Sequence, residues 1–383
     1  MQLPALLTAV GAIQGGVLAA ALMAKPRGPR RANRFMAALL GVVALALLGD
    51  FLRLDAQWRH WPASYVALSS LPFLFGPLLL AYVQVLTGSA AALKGRHLGH
   101  ALPWVVNLVL LTPWLMLPEP QLIERIGAGL AAPAAGVNLL ALGKAISLLA
   151  YTGCAMLQVR RWQRSLRDQF SNLDRVNLRW LSGLLVLFLV LECVFLSYLL
   201  GLWPPGNPVG AADTAISLLL TLLVLATGVL AVRQPQVFSA EPSLATERPA
   251  EAAGPPRGLR NLPADRVPAL RERLQRLMSE QALYRDRELS LRGLAQALGA
   301  SPHQVSELLN QELGCNFFDF INGERVAAVQ RGLREQPEAT VLDLALEAGF
   351  NNKSTFNKAF RRVAGCTPTE WKAAQGNRQV VDL

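Results

Sequence analysis

TVLDLALEAGFNNKSTFNKAFRRVAGCTPTEWK, residues Thr340 to Lys372, decides how the C-terminal third of this 383-residue chain is read. Leu342, Leu344, Ala345 and Ala348 recur at helical spacing and predict one packed helix face. Gly349 then supplies a tight turn, because only glycine enters left-handed backbone conformations without a steric penalty. A second helix follows, with Phe356, Phe360 and Val363 expected to face inward. At 100° per residue its opposite face carries Ser354, Asn357, Lys358 and Arg361, flanked by Lys353 and Arg362. Asn, Lys and Arg on one free helix face can contact both base edges and phosphates.

The layout occurs twice. LSLRGLAQALGASPHQVSELLNQ, from Leu289 to Gln311, packs Leu291, Leu294, Ala295 and Leu298, turns at Gly299, caps with Ser301 and Pro302, and buries Val305, Leu308 and Leu309. Ala295 and Gly299 correspond to Ala345 and Gly349, with one extra residue in the second turn. Here the free face offers His303, Gln304, Ser306 and Asn310 beside Glu307, which repels phosphate. Between the units, Asn316–Arg334 is expected to form a long helix packing Phe317, Phe320, Ile321 and Val329. A further helix near Val267–Tyr284 should complete the first bundle. Residues 351–372 carry five positive side chains against Glu370, whereas 286–312 carry two against four acidic ones. The second unit is therefore expected to contribute more affinity for a polyanion.

Upstream the composition changes. Charged residues make up only 16% of the chain, against about 25% in soluble proteins. Seven apolar segments near 3–23, 35–54, 65–87, 101–117, 136–159, 180–203 and 213–232 approach the ~20 residues needed to cross a bilayer. The formal charge of +11 belongs to this half: residues 1–262 hold 21 Lys+Arg against 11 Asp+Glu, and 263–383 hold 16 against 15. Bulk charge is thus no argument for nucleic-acid binding. Alternate loops differ sharply. Those at 24–34, 88–100 and 160–179 hold thirteen Lys+Arg, and those at 55–64, 118–135 and 204–212 hold two. By the positive-inside rule the first set is cytoplasmic, the N-terminus outside and the C-terminal domain inside. The expected location is a bacterial cytoplasmic (inner) membrane.

Polar residues inside such spans are costly and often functional. Lys144 and Glu192 fall at matching depths, roughly 12 Å from the outer face at 1.5 Å per residue. An intramembrane ion pair or sensing site is expected there, with Asp50 as an alternative partner. Pro72, Gly76 and Pro77 predict a break in the third span whose freed carbonyls need partners. Residues 233–262, rich in Pro, Ala and Glu, read as a disordered tether of roughly 30 Å mean reach. Cys154, Cys193, Cys315 and Cys366 form no CxxC pair and read as buried, reduced residues. No metal-ligand cluster, cofactor motif or enzyme motif is expected; HExxH, Walker and kinase patterns are missing from the sequence.

Residues from roughly Leu289 to Ala373 resemble the AraC/XylS family of bacterial transcription regulators. The motif DLALEAGFNNKSTFNKAFRRVAGCTP carries the resemblance through Gly349–Phe350, Ser354–Phe356, Phe360 and Gly365–Pro368. NFFDFINGERVAAVQRGL adds to it, with Arg325 at the family's usual arginine. Val329, Gly332 and Lys372 depart from the pattern. The resemblance implies two helix-turn-helix units joined by one helix, reading consecutive major grooves of promoter DNA. The layout is similar to that of membrane-bound members. The fold expected is therefore all-α: a seven-helix transmembrane bundle (1–232), a linker (233–262) and a double helix-turn-helix domain (263–383). Expected partners are double-stranded promoter DNA, the lipid bilayer, RNA polymerase, an unidentified ligand and a second copy of the chain. The competing expectation is a transporter or receptor whose C-terminal domain binds protein.

Overall fold

The structure is a computed structural model and describes residues 3–24, 30–88, 99–131, 139–171, 179–200, 208–233 and 266–381. Among these the chain is helical, with one isolated antiparallel bridge and no named strand. The tether expected at 233–262 lies almost wholly outside the described residues. The chain divides into two compact units. One comprises Met1–Arg160 and Leu178–Arg248; the other comprises Arg161–Asn177 and Pro249–Leu383. The second unit thus includes a segment from the loop between two apolar helices, which the sequence had assigned to the N-terminal half.

The first unit is built from α1 (Leu3–Ala24), α2 (Arg30–Leu54), α3 (Pro62–Leu68), α4 (Phe75–Leu86), α5 (Leu102–Leu115), α6 (Glu119–Ala131), α7 (Leu139–Arg167, whose last turns belong to the second unit), α8 (Arg179–Leu199) and α9 (Pro208–Arg233). Met36, Leu40, Val43, Leu47, Phe75, Leu79, Tyr82, Phe188 and Val224 form its main core. Glycine permits close approach at two points: a Cβ on Gly11 would lie 2.9 Å from Thr221, and one on Gly76 would lie 2.7 Å from the Tyr151 ring.

Among the described residues, five helical segments are long and apolar enough to cross a membrane: Leu3–Ala24, Arg30–Leu54, Pro62–Leu86, Leu139–Arg167 and Trp180–Leu199. A sixth arises if Gly99–Leu115 and Glu119–Leu130, bent by 118°, count as one span. The remaining expected span falls in α9, whose apolar stretch Thr214–Thr227 is shorter.

The third segment breaks before its prolines. α3 ends at Leu68, and a 3-10 turn over Leu71–Leu74 leads into α4. The polar groups at the break find partners: Lys144 Nζ donates to Ser69 O at 2.8 Å, and Trp104 Nε1 donates to Ser70 Oγ at 3.1 Å. The expected Lys144–Glu192 pair is therefore not formed. Lys144 serves the broken helix and lies over the Phe73 ring. Glu192 is 1% exposed, and no described residue hydrogen-bonds its Oε1. Asp50 accepts from Ser217 Oγ at 2.9 Å instead. Equal depth along two helices does not set their rotation, and the free carbonyl competes for the ammonium. Exchanging the two residues (Lys144→Glu with Glu192→Lys) should consequently leave the protein no better folded than the worse single variant. Monodisperse yield in detergent checks this, and recovery to wild-type yield would restore the pair. All four cysteines are free thiols. Cys154 and Cys193, expected buried, lie on exposed helix faces.

The second unit contains α10 (Arg266–Ser279), α11 (Leu291–Leu298), α12 (Pro302–Glu307), α13 (Phe317–Glu335), α14 (Val341–Glu347), α15 (Lys353–Ala364) and α16 (Pro368–Val381). α10 is shorter than the sequence suggested, because Ala282 takes a left-handed conformation and only a single 3-10 turn, Leu283–Arg285, follows. Two cores share α13. Its first half gives Phe317 and Ile321 to a cluster with Leu274, Leu294, Leu298 and Leu308. Its second half gives Val326, Val329 and Leu333 to a cluster with Leu344, Phe350, Phe356 and Phe360. Gly332, where the family pattern has a large apolar residue, is filled from the other side: a Cβ there would lie 2.9 Å from Leu344.

Candidate nucleic-acid interface

Each helix pair is held by local caps and turns, of which the sequence had marked Ser301, Gly299 and Gly349. Ser290 caps α11 by accepting from Gly293 N, and Gly299 ends it at φ 66°. Ser301 and Gln304 form a reciprocal capping box at the start of α12. In the second unit Thr340 caps α14, Asn352 caps α15 by accepting from Thr355 N at 2.8 Å, and Gly365 ends α15 at φ 73°. The cap falls two residues after Gly299 but three after Gly349, which is where the extra residue of the second turn goes. Replacing Asn352 by Ala should cost about 1 kcal/mol. The thermal melt of the second unit reads this loss; an unshifted melt would show the cap to be idle.

Gly349 does more than turn. At φ 97° it approaches the Tyr284–Arg285 backbone so closely that a Cβ would lie 2.7 Å from Arg285 O. Beyond it, Phe350, Phe356, Phe360 and Trp371 stack edge to face with centroids 5.2, 5.5 and 6.2 Å apart. This stack sets the rotation of α15. Phe356, Ala359 and Phe360 are buried, and Lys353, Ser354, Asn357, Lys358, Arg361 and Arg362 are exposed. Two inward expectations are corrected. Val363 is 48% exposed, with Ala359 taking the inward place, and Leu342 is 41% exposed. The aromatic stack rotates α15 toward Ala359, and α14 meets the core through Leu344 and Ala345, with Val341 packed against its edge.

The outward residues differ in how free they are. Arg362 forms an ion pair with Asp319 of α13 and lies over the Phe318 ring. It ties α15 to the linking helix. On α12, Gln304 is committed to the capping box and His303 sits 3.6 Å from Glu307; in the π-helical turn Leu308–Glu312 that follows, Asn310 Nδ2 donates to Ser306 Oγ at 3.3 Å. The first unit therefore presents a face already bonded to itself, and α15 presents Lys353, Asn357, Lys358 and Arg361 to solvent. Lys372, beyond α15, donates to Ala339 O at 3.0 Å and holds α16 against the α13–α14 loop.

Sequence reasoning placed Arg325 only by its resemblance. It is 1% exposed, and its fork reaches Tyr284 O and Asp286 O, each at 2.7 Å, with its plane over the Phe350 ring. Burial pulls its pKa down to about 10, and nearby Asp286 opposes the shift. It remains charged at neutral pH and ties the Tyr284–Asp286 turn of the first helix-turn-helix to the turn of the second. Among the described residues, no group of three or more His, Cys, Asp or Glu could hold a metal ion.

Residues 294–374 match a family model described as a helix-turn-helix domain. An uncharacterized HTH-type transcriptional regulator of Staphylococcus aureus (strain COL) is 29% identical over 90 residues, which are 24% of this chain and 12% of that protein. The probable transcription factor PqrA of Proteus vulgaris is 24% identical over 93 residues, which are 24% of this chain and 75% of PqrA. The chain thus spans about an eighth of the length of the Staphylococcus relatives it matches. No solved structure matches. Residues 294–374, with two glycine-turned helix pairs on one shared helix, thus form a helix-turn-helix domain similar to those of proteins named as transcriptional regulators.

Proposed function

We propose that this chain is a membrane-embedded one-component transcription regulator, with no enzymatic activity, whose C-terminal unit binds promoter DNA. What carries the reading is the face of α15: Lys353, Ser354, Asn357, Lys358 and Arg361 are all exposed on a helix whose rotation is set by a buried aromatic stack. In a major groove Arg361 and Lys358 suit guanine and Asn357 suits adenine, with phosphates as alternative partners. His303 and Ser306 of α12, with Asn310 just after it, occupy the corresponding place in the first helix-turn-helix. They serve orientation more than affinity, since Glu307 stands among them.

The apolar half is read as seven spans, with α9 the seventh, an external N-terminus and a C-terminal unit in the bacterial cytoplasm. The support is the thirteen-to-two bias of loop Lys+Arg. This half senses a ligand or a state of the membrane, with Lys144, Glu192 and Asp50 as the polar residues within it. RNA polymerase and a second copy of the chain are the protein partners such a regulator would use.

The test uses full-length protein in lipid nanodiscs, incubated with a pool of random-sequence duplexes. Enrichment of one shared motif, with affinity falling steeply as salt rises, is expected. Retention of no duplex above empty nanodiscs would overturn the DNA-binding reading.

A further inference from the structure

The sequence treats residues 160–179 as a basic loop between two apolar segments, yet part of that loop is built into the helix-turn-helix unit. Directly after α7, Phe170 forms an antiparallel bridge with Ser290. Leu291 N donates to Gln169 O at 2.9 Å, and Ser171 N donates to Leu289 O at 3.4 Å. Leu291 is the first residue of α11, so its N–H has no partner within the helix, and Gln169 supplies one. Ser171 is 1% exposed and wholly satisfied by the unit. Its Oγ donates to Leu289 O at 2.7 Å and accepts from Arg325 Nη2 at 3.4 Å, and its carbonyl accepts from Asn322 Nδ2 at 3.3 Å.

These partners are the residues that join the two helix-turn-helix units. Asn322 Oδ1 accepts from Arg325 Nη1 at 3.4 Å, and Arg325 holds the Tyr284–Asp286 turn and covers Phe350. Three residues from a loop more than a hundred positions upstream, Gln169, Phe170 and Ser171, thus complete the start of α11 and enter the hub around Arg325.

We propose that Gln169–Ser171 is a docking strap that fixes the two helix-turn-helix units in one mutual arrangement, so that a shift of α7 pulls on the unit that binds DNA. The docking stands on the contacts above; its consequence for DNA rests on the function proposed for that unit. Two groove-reading helices must keep a set spacing to engage one face of a duplex, so loosening their common hub lowers affinity without removing any contact residue.

The experiment uses the full chain in nanodiscs. Ser171→Pro removes the N–H and the hydroxyl that enter the hub. Hydrogen exchange at the Leu291 amide should accelerate at least tenfold, and binding to the duplex enriched by the wild type should weaken about tenfold. As a second variant, Phe170→Cys with Ser290→Cys places two thiols at a non-hydrogen-bonded antiparallel pair. The Cα separation there is about 4.5 Å, within disulfide reach. The oxidised form should keep Leu291 protected and keep wild-type affinity. Unchanged Leu291 exchange in Ser171→Pro, together with failure of the cysteines to cross-link, overturns the docking. Faster exchange with undiminished duplex affinity overturns the coupling. If the wild type enriches no duplex, the DNA reading fails by itself, and the exchange and cross-linking results still decide the strap.

Discussion

Replacing Arg325 by Met should destabilise the helix-turn-helix unit by about 3–5 kcal/mol, a large part of the ~5–15 kcal/mol that holds an ordinary domain together. The methionine keeps much of the volume but none of the donors. Tyr284 O and Asp286 O each lose a 2.7 Å bond in a site closed to water, and an unsatisfied buried carbonyl costs about 1–3 kcal/mol. Asn322 and Ser171 lose weaker bonds at 3.4 Å, and Phe350 loses the guanidinium plane above its ring. Arg325→Lys should fall between, because one ammonium cannot span both carbonyls as a fork does. Hydrogen exchange at the Phe350 and Phe360 amides in the full-length protein measures the opening of this core. Protection within twofold of wild type in Arg325→Met would mean that the fork contributes little.

The second large effect concerns DNA. With the fold intact, Arg361→Ala should weaken binding to the enriched duplex tenfold or more, at about 1–3 kcal/mol for a contact to a base edge. Adding Lys358→Ala should bring the loss to about a hundredfold and reduce the salt slope by about one for each phosphate contact removed. Both residues are exposed and opposite Phe356 and Phe360, so their truncation disturbs no core. Arg362→Ala should behave differently. Its ion pair with Asp319 anchors α15 to α13, so Asp319→Asn should reproduce much of its effect. Titrations of the labelled duplex at two salt concentrations separate these cases. Affinity unaffected by loss of both Arg361 and Lys358 would remove α15 as the reading face.

The two corrected positions on α14 and α15 show why helical spacing alone was incomplete. Val363 stands seven residues after Phe356, a spacing that returns nearly to the same helix face. The chain leaves α15 at Gly365 before that position meets a partner, and the core contact passes to Ala359. Leu342 lies in the first turn of a seven-residue helix, too short for its whole apolar pattern to reach the core. In the first helix-turn-helix, by contrast, Leu291, Leu294, Ala295, Leu298, Val305, Leu308 and Leu309 are all buried as their spacing required.

Sequence by itself determined what is local: helix faces set by apolar spacing, a helix start at Ser301, turns demanded by Gly299 and Gly349, a shared helix from Asn316, and apolar segments separated by loops of unequal charge. Caps, positive-φ turns and a 3.6-residue period act within a few residues of one another, so they can be read in order along the chain. Tertiary structure alone decided which distant groups meet: Lys144 with Ser69 O rather than Glu192, Arg362 with Asp319, and Ser171 with Leu289, Asn322 and Arg325. The physical reason is that a buried donor takes the strongest acceptor that packing brings within reach. Packing depends on helix rotation and on loop docking, neither of which a one-dimensional spacing records.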